Sequence, residues 1–216
     1  MIALIDYGAG NLTSVKKALT ALGAAFTVPD TPDDCAGASG LIVPGVGHFS
    51  ATTALDRPWR DAIGRAARAG TPLLGICVGM QWLFTGSEEA PEVPGLGLLD
   101  GTCRLLLGEA SERLKIPHVG WNALESPVWP EGRGPQSSEP AVFRGRLLAG
   151  LPRDPYVYFT HSFAAPVTSD CVASTTHAEC FAAAVERDRV FGVQFHPEKS
   201  GDAGLQILRN YLTLCQ

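Results

Sequence analysis

Three side chains in this sequence have the types and the spacing for acyl transfer. Cys77 stands between Gly75 and Gly79 in "GICVGM", directly after the apolar run "TPLLGI". The pattern G-x-C-x-G has the spacing of the nucleophile elbow G-x-S-x-G, with sulfur in place of oxygen. A tight strand-to-helix turn forces strained dihedrals on its nucleophile, and flanking glycines remove the Cβ atoms that would clash there. The helix that follows points its N-terminus at the thiol, and its partial positive charge favours the thiolate. The Val78 N–H is then placed to stabilise an oxyanion. A cysteine nucleophile needs a base, and the base needs an orienting carboxylate. "FGVQFHPEKSG" offers both: His196 and Glu198 lie two residues apart, which puts them on one face of an extended segment. Pro197 between them fixes one dihedral and suits a rigid strand end. Taken alone, each signal has a bland alternative. Most buried cysteines are inert packing residues, and H-P-E is a short match.

The elements that must position these groups follow from periodicity. "IALI" (2–5), "FTV" (26–28), "GLIVPG" (40–45) and "TPLLGI" (71–76) read as short buried strands. "NLTSVKKALTALG", with Leu12, Val15, Leu19 and Leu22 at helical spacing, and "PWRDAIGRAARAG" (58–70), with Pro58 in its first turn, read as helices. "VGMQWLF" (78–84) starts another. Strands alternating with helices predict an α/β fold with a mostly parallel central sheet flanked by helices. Ligands of such sheets bind beyond the carboxyl ends of the strands, where "DYGAGN", "PGVGHF" and "GICVGM" fall. In the second half, "CRLLL" (103–107), "YVYFTHSF" (156–163), "CVAST" (171–175), "FAAAVE" (181–186) and "RVFGVQF" (189–195) predict an additional, smaller antiparallel portion, closed by an amphipathic helix over 201–215. "PVWPEGRGPQSSEP" (127–140) reads as an exposed loop. No repeat or second boundary is visible, so residues 1–216 are expected to form a single domain.

Composition narrows the function. The formal net charge is −5 with no basic block, which argues against a nucleic-acid surface. No apolar run approaches the ~20 residues that span a bilayer, and "MIALIDYGAGN" lacks the basic start of a signal peptide, so a cytoplasmic location is the default. None of the six cysteines falls in a C-x-x-C pair, which speaks against zinc and thioredoxin-type chemistry and for free thiols. His118 and His161 read as isolated structural residues and His48 and His177 as surface or rim residues, so no metal and no cofactor are expected.

In combination the motifs are far more specific. "DYGAGNLTSVKKAL", "PGVGHF", "GICVGMQWLF", "IPHVGWN", "YFTHSF" and "GVQFHPEKSG" resemble the class I (triad) glutamine amidotransferases, with a flavodoxin-like fold, and within them the glutaminase subunits of imidazole glycerol phosphate synthase. The resemblance covers nearly the whole chain. It implies that Cys77 attacks the side-chain amide of glutamine, that His196 held by Glu198 moves the proton, and that the Val46 and Val78 N–H groups form the oxyanion site. It implies substrate contacts at Gly45, Gln81, Glu89, His161, Ser162 and Phe163, with Phe163 where many relatives have tyrosine and Thr160 where valine is common. It further implies a separate cyclase subunit as partner, docked through segments that include Asn11 and Trp121. In this branch Pro44-Gly45-Val46-Gly47 replaces the Pro-Gly-Gly of many relatives, which suggests an oxyanion strand that needs a peptide flip. Trp121 could instead be a core residue. Other triad glutaminases, a cysteine-elbow redox sensor and a non-catalytic subunit remain as alternatives; the first is disfavoured by "PGVG" and "PHVGWN", the others by the intact H-P-E segment.

Overall fold

The computed structural model describes residues 1–107, 115–127 and 143–216. In chain order its elements are β1 (Ile2–Leu4), α1 (Leu12–Ala21), β2 (Phe26–Thr27), β3 (Gly40–Val43), α2 (Arg57–Arg68), β4 (Leu73–Ile76), α3 (Val78–Leu83), β5 (Gly86–Ser87), β6 (Thr102–Leu105), β7 (His118–Ala123), β8 (Tyr156–His161), β9 (Phe163–Ala164), β10 (Cys171–His177), β11 (Glu179–Arg187), β12 (Val190–Val193) and α4 (Gly201–Leu214). A seven-stranded sheet runs β10-β11-β12-β4-β3-β1-β2. Its five strands from β12 to β2 are mutually parallel, and β10 and β11 extend it antiparallel. Two small sheets, β5-β6-β9 and β7-β8, stand apart from it. The expected loop over 127–140 lies, apart from Pro127, outside the described residues.

The apolar runs become central strands because both faces are covered: β3, β4 and β12 are buried at every residue. α1 buries Val15, Ala18 and Leu19. α2 buries Ala62 and Ile63, and the Asp56 side chain caps it by accepting from the Trp59 N–H at 3.3 Å. Arg65 and Arg68 fall in its last turn, where positive charge suits the helix dipole.

The structure corrects one placement. "RVFGVQF" belongs not to a separate antiparallel portion but to the middle of the main sheet. β12 lies parallel to β4, with Gly192 opposite Gly75 and Val193 opposite Ile76. A four-residue run buried on both faces carries no period that separates the two placements. The strands around "CVAST" and "FAAAVE" are antiparallel, but within this same sheet. The detached antiparallel ribbon is β7-β8 instead, and β7 has no apolar run to announce it, since Gly120 interrupts it and Val119 and Trp121 face solvent.

Three adjacent parallel strands, β3, β4 and β12, thus run into "PGVG", "CVG" and "FHPE". Their ends approach more closely than side chains allow. A Cβ on Gly75 would lie 2.6 Å from the Gly79 carbonyl oxygen, and one on Gly79 would run into the Val43 carbonyl oxygen. Gly79→Ala should therefore destabilise the fold by about 2 kcal/mol or more, read as a lower urea midpoint with unchanged m-value.

Candidate active site

Cys77 occupies the turn from β4 to α3 with φ 53° and ψ −112°. That backbone costs roughly 1–3 kcal/mol for a residue with a Cβ and persists because both its peptide groups are held. The Cys77 N–H donates to the Val193 carbonyl at 2.8 Å, and its carbonyl accepts from the Gln81 N–H at 3.0 Å. The residue is 2 % exposed. Its sulfur accepts from Gln194 Nε2 at 3.6 Å and lies 4.0 Å from the Thr160 carbonyl oxygen. The Val78 N–H, first in α3, has no intrahelical acceptor, and Val78 lines the cleft beside Cys77.

His196 follows β12, so the register of β12 on β4 brings it beside the elbow. Its N–H donates to the Tyr158 carbonyl at 2.9 Å. Ser200 Oγ donates to the His196 carbonyl at 2.6 Å and accepts from the Tyr158 N–H at 2.9 Å, tying β8 to the H-P-E turn. His196 Nδ1 donates to Glu198 Oε1 at 2.9 Å with both side chains buried. The proton on Nδ1 leaves Nε2 as the working nitrogen, and Nε2 is buried with no partner among the described residues. Burial by itself lowers the His196 pKa. The Cys77 sulfur and the Glu198 carboxylate outweigh it and hold the pKa up at about 9.

One small cleft is lined by Gly47, Cys77, Val78, Gln81, Glu89, Thr160, His161, Ser162 and Phe163. It gathers the expected Cys77, Val78, Gln81, Glu89, His161, Ser162 and Phe163. Gly45 is not on its wall: it is buried under the elbow, where a Cβ would lie 2.8 Å from the Gly79 nitrogen and 2.8 Å from Val78 Cβ. Val46 is part-exposed beside it, and Gly47, at φ 99°, forms the rim. Glu89 Oε2 accepts from the Phe49 N–H at 2.7 Å, which anchors the "PGVGHF" segment to the far side of the cleft. Gln81, which reads as a surface residue without the resemblance, is 2 % exposed.

Sequence reasoning missed Gln194, Gly47 and the histidine cluster. Gln194 is a fully buried polar residue inside an apolar strand run, and that incongruity was its only signal. His118 and His161 are not isolated. His161 Nδ1 donates to the Phe163 carbonyl at 2.9 Å, so its Nε2 accepts from His118 Nδ1 at 3.3 Å. His177 is part-buried and stacks on His118 with centroids 4.0 Å apart. Burial first, and then the neighbouring imidazoles, push His161 down to about 3 and His118 to about 4. His48 is exposed. Among the described residues no group of three His, Cys, Asp or Glu could hold a metal ion, and no helix is long and apolar enough to cross a membrane. All six thiols are free.

Trp121 is 55 % exposed on β7, so it is not a core residue. Its ring meets Tyr158 edge-on at 6.1 Å, and Lys199 Nζ lies 5.6 Å from the Tyr158 centroid. Asn11 is the N-cap residue of α1, whose Ser14, Lys17 and Ala18 share a surface cavity with Pro197 and Glu198.

An α/β sheet with a cysteine elbow and a buried His–Glu pair at its carboxyl edge is an arrangement suited to acyl transfer. The chain belongs to the class-I glutamine amidotransferase family, whose model matches residues 3–214. It is 45 % identical over 221 residues to the imidazole glycerol phosphate synthase subunit HisH of Gloeobacter violaceus, covering 98 % of this chain and 88 % of that one. It is also 45 % identical to the protein of the same name from Deinococcus radiodurans, covering 97 % and 92 %. A glutamine amidotransferase crystal structure shares the fold at 20 % identity with a TM-score of 0.71, covering 100 % and 99 %. PurLQS from Thermotoga maritima does so at 19 % identity with a TM-score of 0.67, covering 100 % and 98 %.

The depressed histidines make acid stability testable. Both are neutral in the fold but titrate near 6.5 when unfolded. Their contribution is complete above pH 6.5 and is lost as the pH falls towards 4 and then 3. Urea midpoints should drop between pH 7.5 and pH 5, and by less in His118→Phe. An equal drop in the variant would assign the acid sensitivity to other groups.

Proposed function

We propose that this chain hydrolyses glutamine to glutamate and ammonia and hands the ammonia to a separate cyclase subunit, which makes imidazole glycerol phosphate and aminoimidazole carboxamide ribotide in histidine biosynthesis. The observation that carries this reading is an elbow cysteine on the wall of the cleft with the buried His196–Glu198 pair next to its sulfur, in a chain 45 % identical to imidazole glycerol phosphate synthase subunits. The Cys77 thiolate adds to the amide carbon. The oxyanion is met by the Val78 N–H and, after a flip of the strand, by the Val46 N–H. His196 Nε2 then gives its proton to the departing nitrogen, and ammonia leaves with a thioester on Cys77. Water, losing a proton to Nε2, adds to the thioester, and glutamate departs as the sulfur regains its negative charge. Gln81, Glu89 and the backbone of His161, Ser162 and Phe163 hold the charged end of the substrate, with Gly45 supporting the strand beneath. Free ammonia is mostly protonated near neutral pH and then is no nucleophile, so delivery under cover has a chemical reason. Asn11 and Trp121 face the cyclase. The chain works as a single domain, in the cytoplasm, with no cofactor.

Gly45 and Gly47 flank the Val46 peptide, and Gly47 already occupies a positive φ, so rotation of that peptide meets little steric resistance. Loss of one oxyanion donor costs about 10²–10³ in rate. Glutamate release should therefore rise by at least about 10²-fold when the cyclase subunit and its ribonucleotide ligand are added, and Cys77→Ala should abolish it. Full activity of the isolated chain would remove the flip; absence of turnover in both preparations would remove the glutaminase reading. Trp121→Ala should weaken association with the cyclase by about 10-fold or more and leave the melting temperature of the exposed-tryptophan variant within a degree or two of the parent's.

A further inference from the structure

The cleft contains a buried chain of amide groups whose polarity is fixed from one end. The Phe163 carbonyl oxygen can only accept, so the side-chain group of Gln81 that lies 2.7 Å from it must be Nε2. The same Nε2 lies 3.1 Å from the Gln194 amide, which must therefore present Oε1. That turns Gln194 Nε2 towards Cys77 Sγ, at 3.6 Å. Gln194 is 0 % and Gln81 2 % exposed, so water does not compete for these bonds. Both protons of Gln81 Nε2 are committed, and its Oε1 is left buried, without a partner, on a side chain that lines the cleft.

We infer that Gln194 is a positioning residue that locks the Gln81 amide so that Oε1 faces the cleft as an acceptor for the α-ammonium group of the substrate, while its own Nε2 donates to the nucleophilic sulfur. This rests on the glutaminase reading for the identity of the ligand. Two consequences follow from one side chain. The Phe163 carbonyl sets the polarity of the Gln81 amide, and the second bond, to Gln194, fixes its plane; held by one bond alone the amide would swing about it and Oε1 would lose its aim. The donor at the sulfur stabilises negative charge there, which a thiolate has and a thiol lacks.

The test separates the two roles and the underlying reading. Glutamine and 4-carbamoylbutanoate, which lacks only the α-amino group, are titrated calorimetrically into the chain carrying Cys77→Ala, with and without Gln194→Leu, in complex with the cyclase subunit. Gln194→Leu should weaken glutamine by about 10-fold or more, as expected for a hydrogen bond to a charged group, and leave 4-carbamoylbutanoate within about 2-fold. Equal weakening of both ligands, or none, overturns the lock. If neither ligand binds the Cys77→Ala chain while the parent also fails to release glutamate, the glutaminase reading has failed instead. Gln194→Glu, nearly isosteric, guards against misfolding of the leucine variant: it keeps the acceptor for Gln81 and removes the donor to sulfur. With Cys77 present, its iodoacetamide alkylation should shift to higher pH by a unit or more; an unmoved profile overturns the contact with sulfur.

Discussion

The left-handed backbone of Cys77 is the constraint on which the rest of this structure depends. A residue with a Cβ stays at φ 53° only if its surroundings over-determine it. Here the surroundings are the two strands that flank β4. Val193 in β12 takes the Cys77 N–H, and the Val43 carbonyl of β3 sits where any side chain at Gly79 would have to be. The helix can then begin directly at Cys77, and its first turn stays in contact with the ends of three strands. The same close approach that fixes the sulfur brings the "PGVG" segment and the H-P-E turn to it. A looser elbow would lose the cysteine geometry and both neighbours together.

Around that turn, burial acts in opposite senses on chemically identical groups. His196 and His161 are both deeply buried, yet one is held up at about 9 and the other down at about 3. Burial lowers each. The difference lies in what each imidazole faces. His196 has a carboxylate on Nδ1 and the Cys77 sulfur as a near neighbour. His161 has a carbonyl on one side and another imidazole on the other. Around the cleft one histidine is thereby disposed to carry charge, beside Cys77, and two stay neutral. A neutral His161 keeps its Nδ1 proton on the Phe163 carbonyl and so fixes the segment from Thr160 to Phe163 that walls the cleft.

Much of this was legible before any coordinates. The parallel sheet follows from short apolar strands between amphipathic helices, and the elbow from two glycines around a cysteine, because no other residue fits where Gly75 and Gly79 stand. What stayed hidden had specific reasons. β12 is too short and too evenly apolar to reveal its partner or direction. β7 alternates with its larger apolar residues, Val119 and Trp121, on the solvent face, the reverse of the pattern that marks a half-buried strand. The lining contributed by Gln81 and Glu89 came from the resemblance, since polar residues in and after a short helix have no period that marks them as buried. Gln194 was passed over inside an apolar run, although a lone amide among "FGV" and "FH" must find partners if it is buried. The place of Gly47 rather than Gly45 on the rim depends on the direction of the chain after β3, which spacing does not encode.

The insertion of β12 beside β4 has a consequence for biosynthesis of the chain itself. Cys77 emerges early in translation, while β12 and the H-P-E turn come from the last eighth of the sequence. Contacts of such wide separation form late, because closing a long loop precedes any reward from pairing. Until then β4 is an edge strand, Cys77 has no His196 beside it, and the N–H of its strained turn has no Val193 carbonyl to donate to. A chain that stops short of β12 exposes an unpaired parallel edge on β4, the kind of surface that invites aggregation and chaperone capture. Completion of the sheet and the locking of the Cys77 turn are one event.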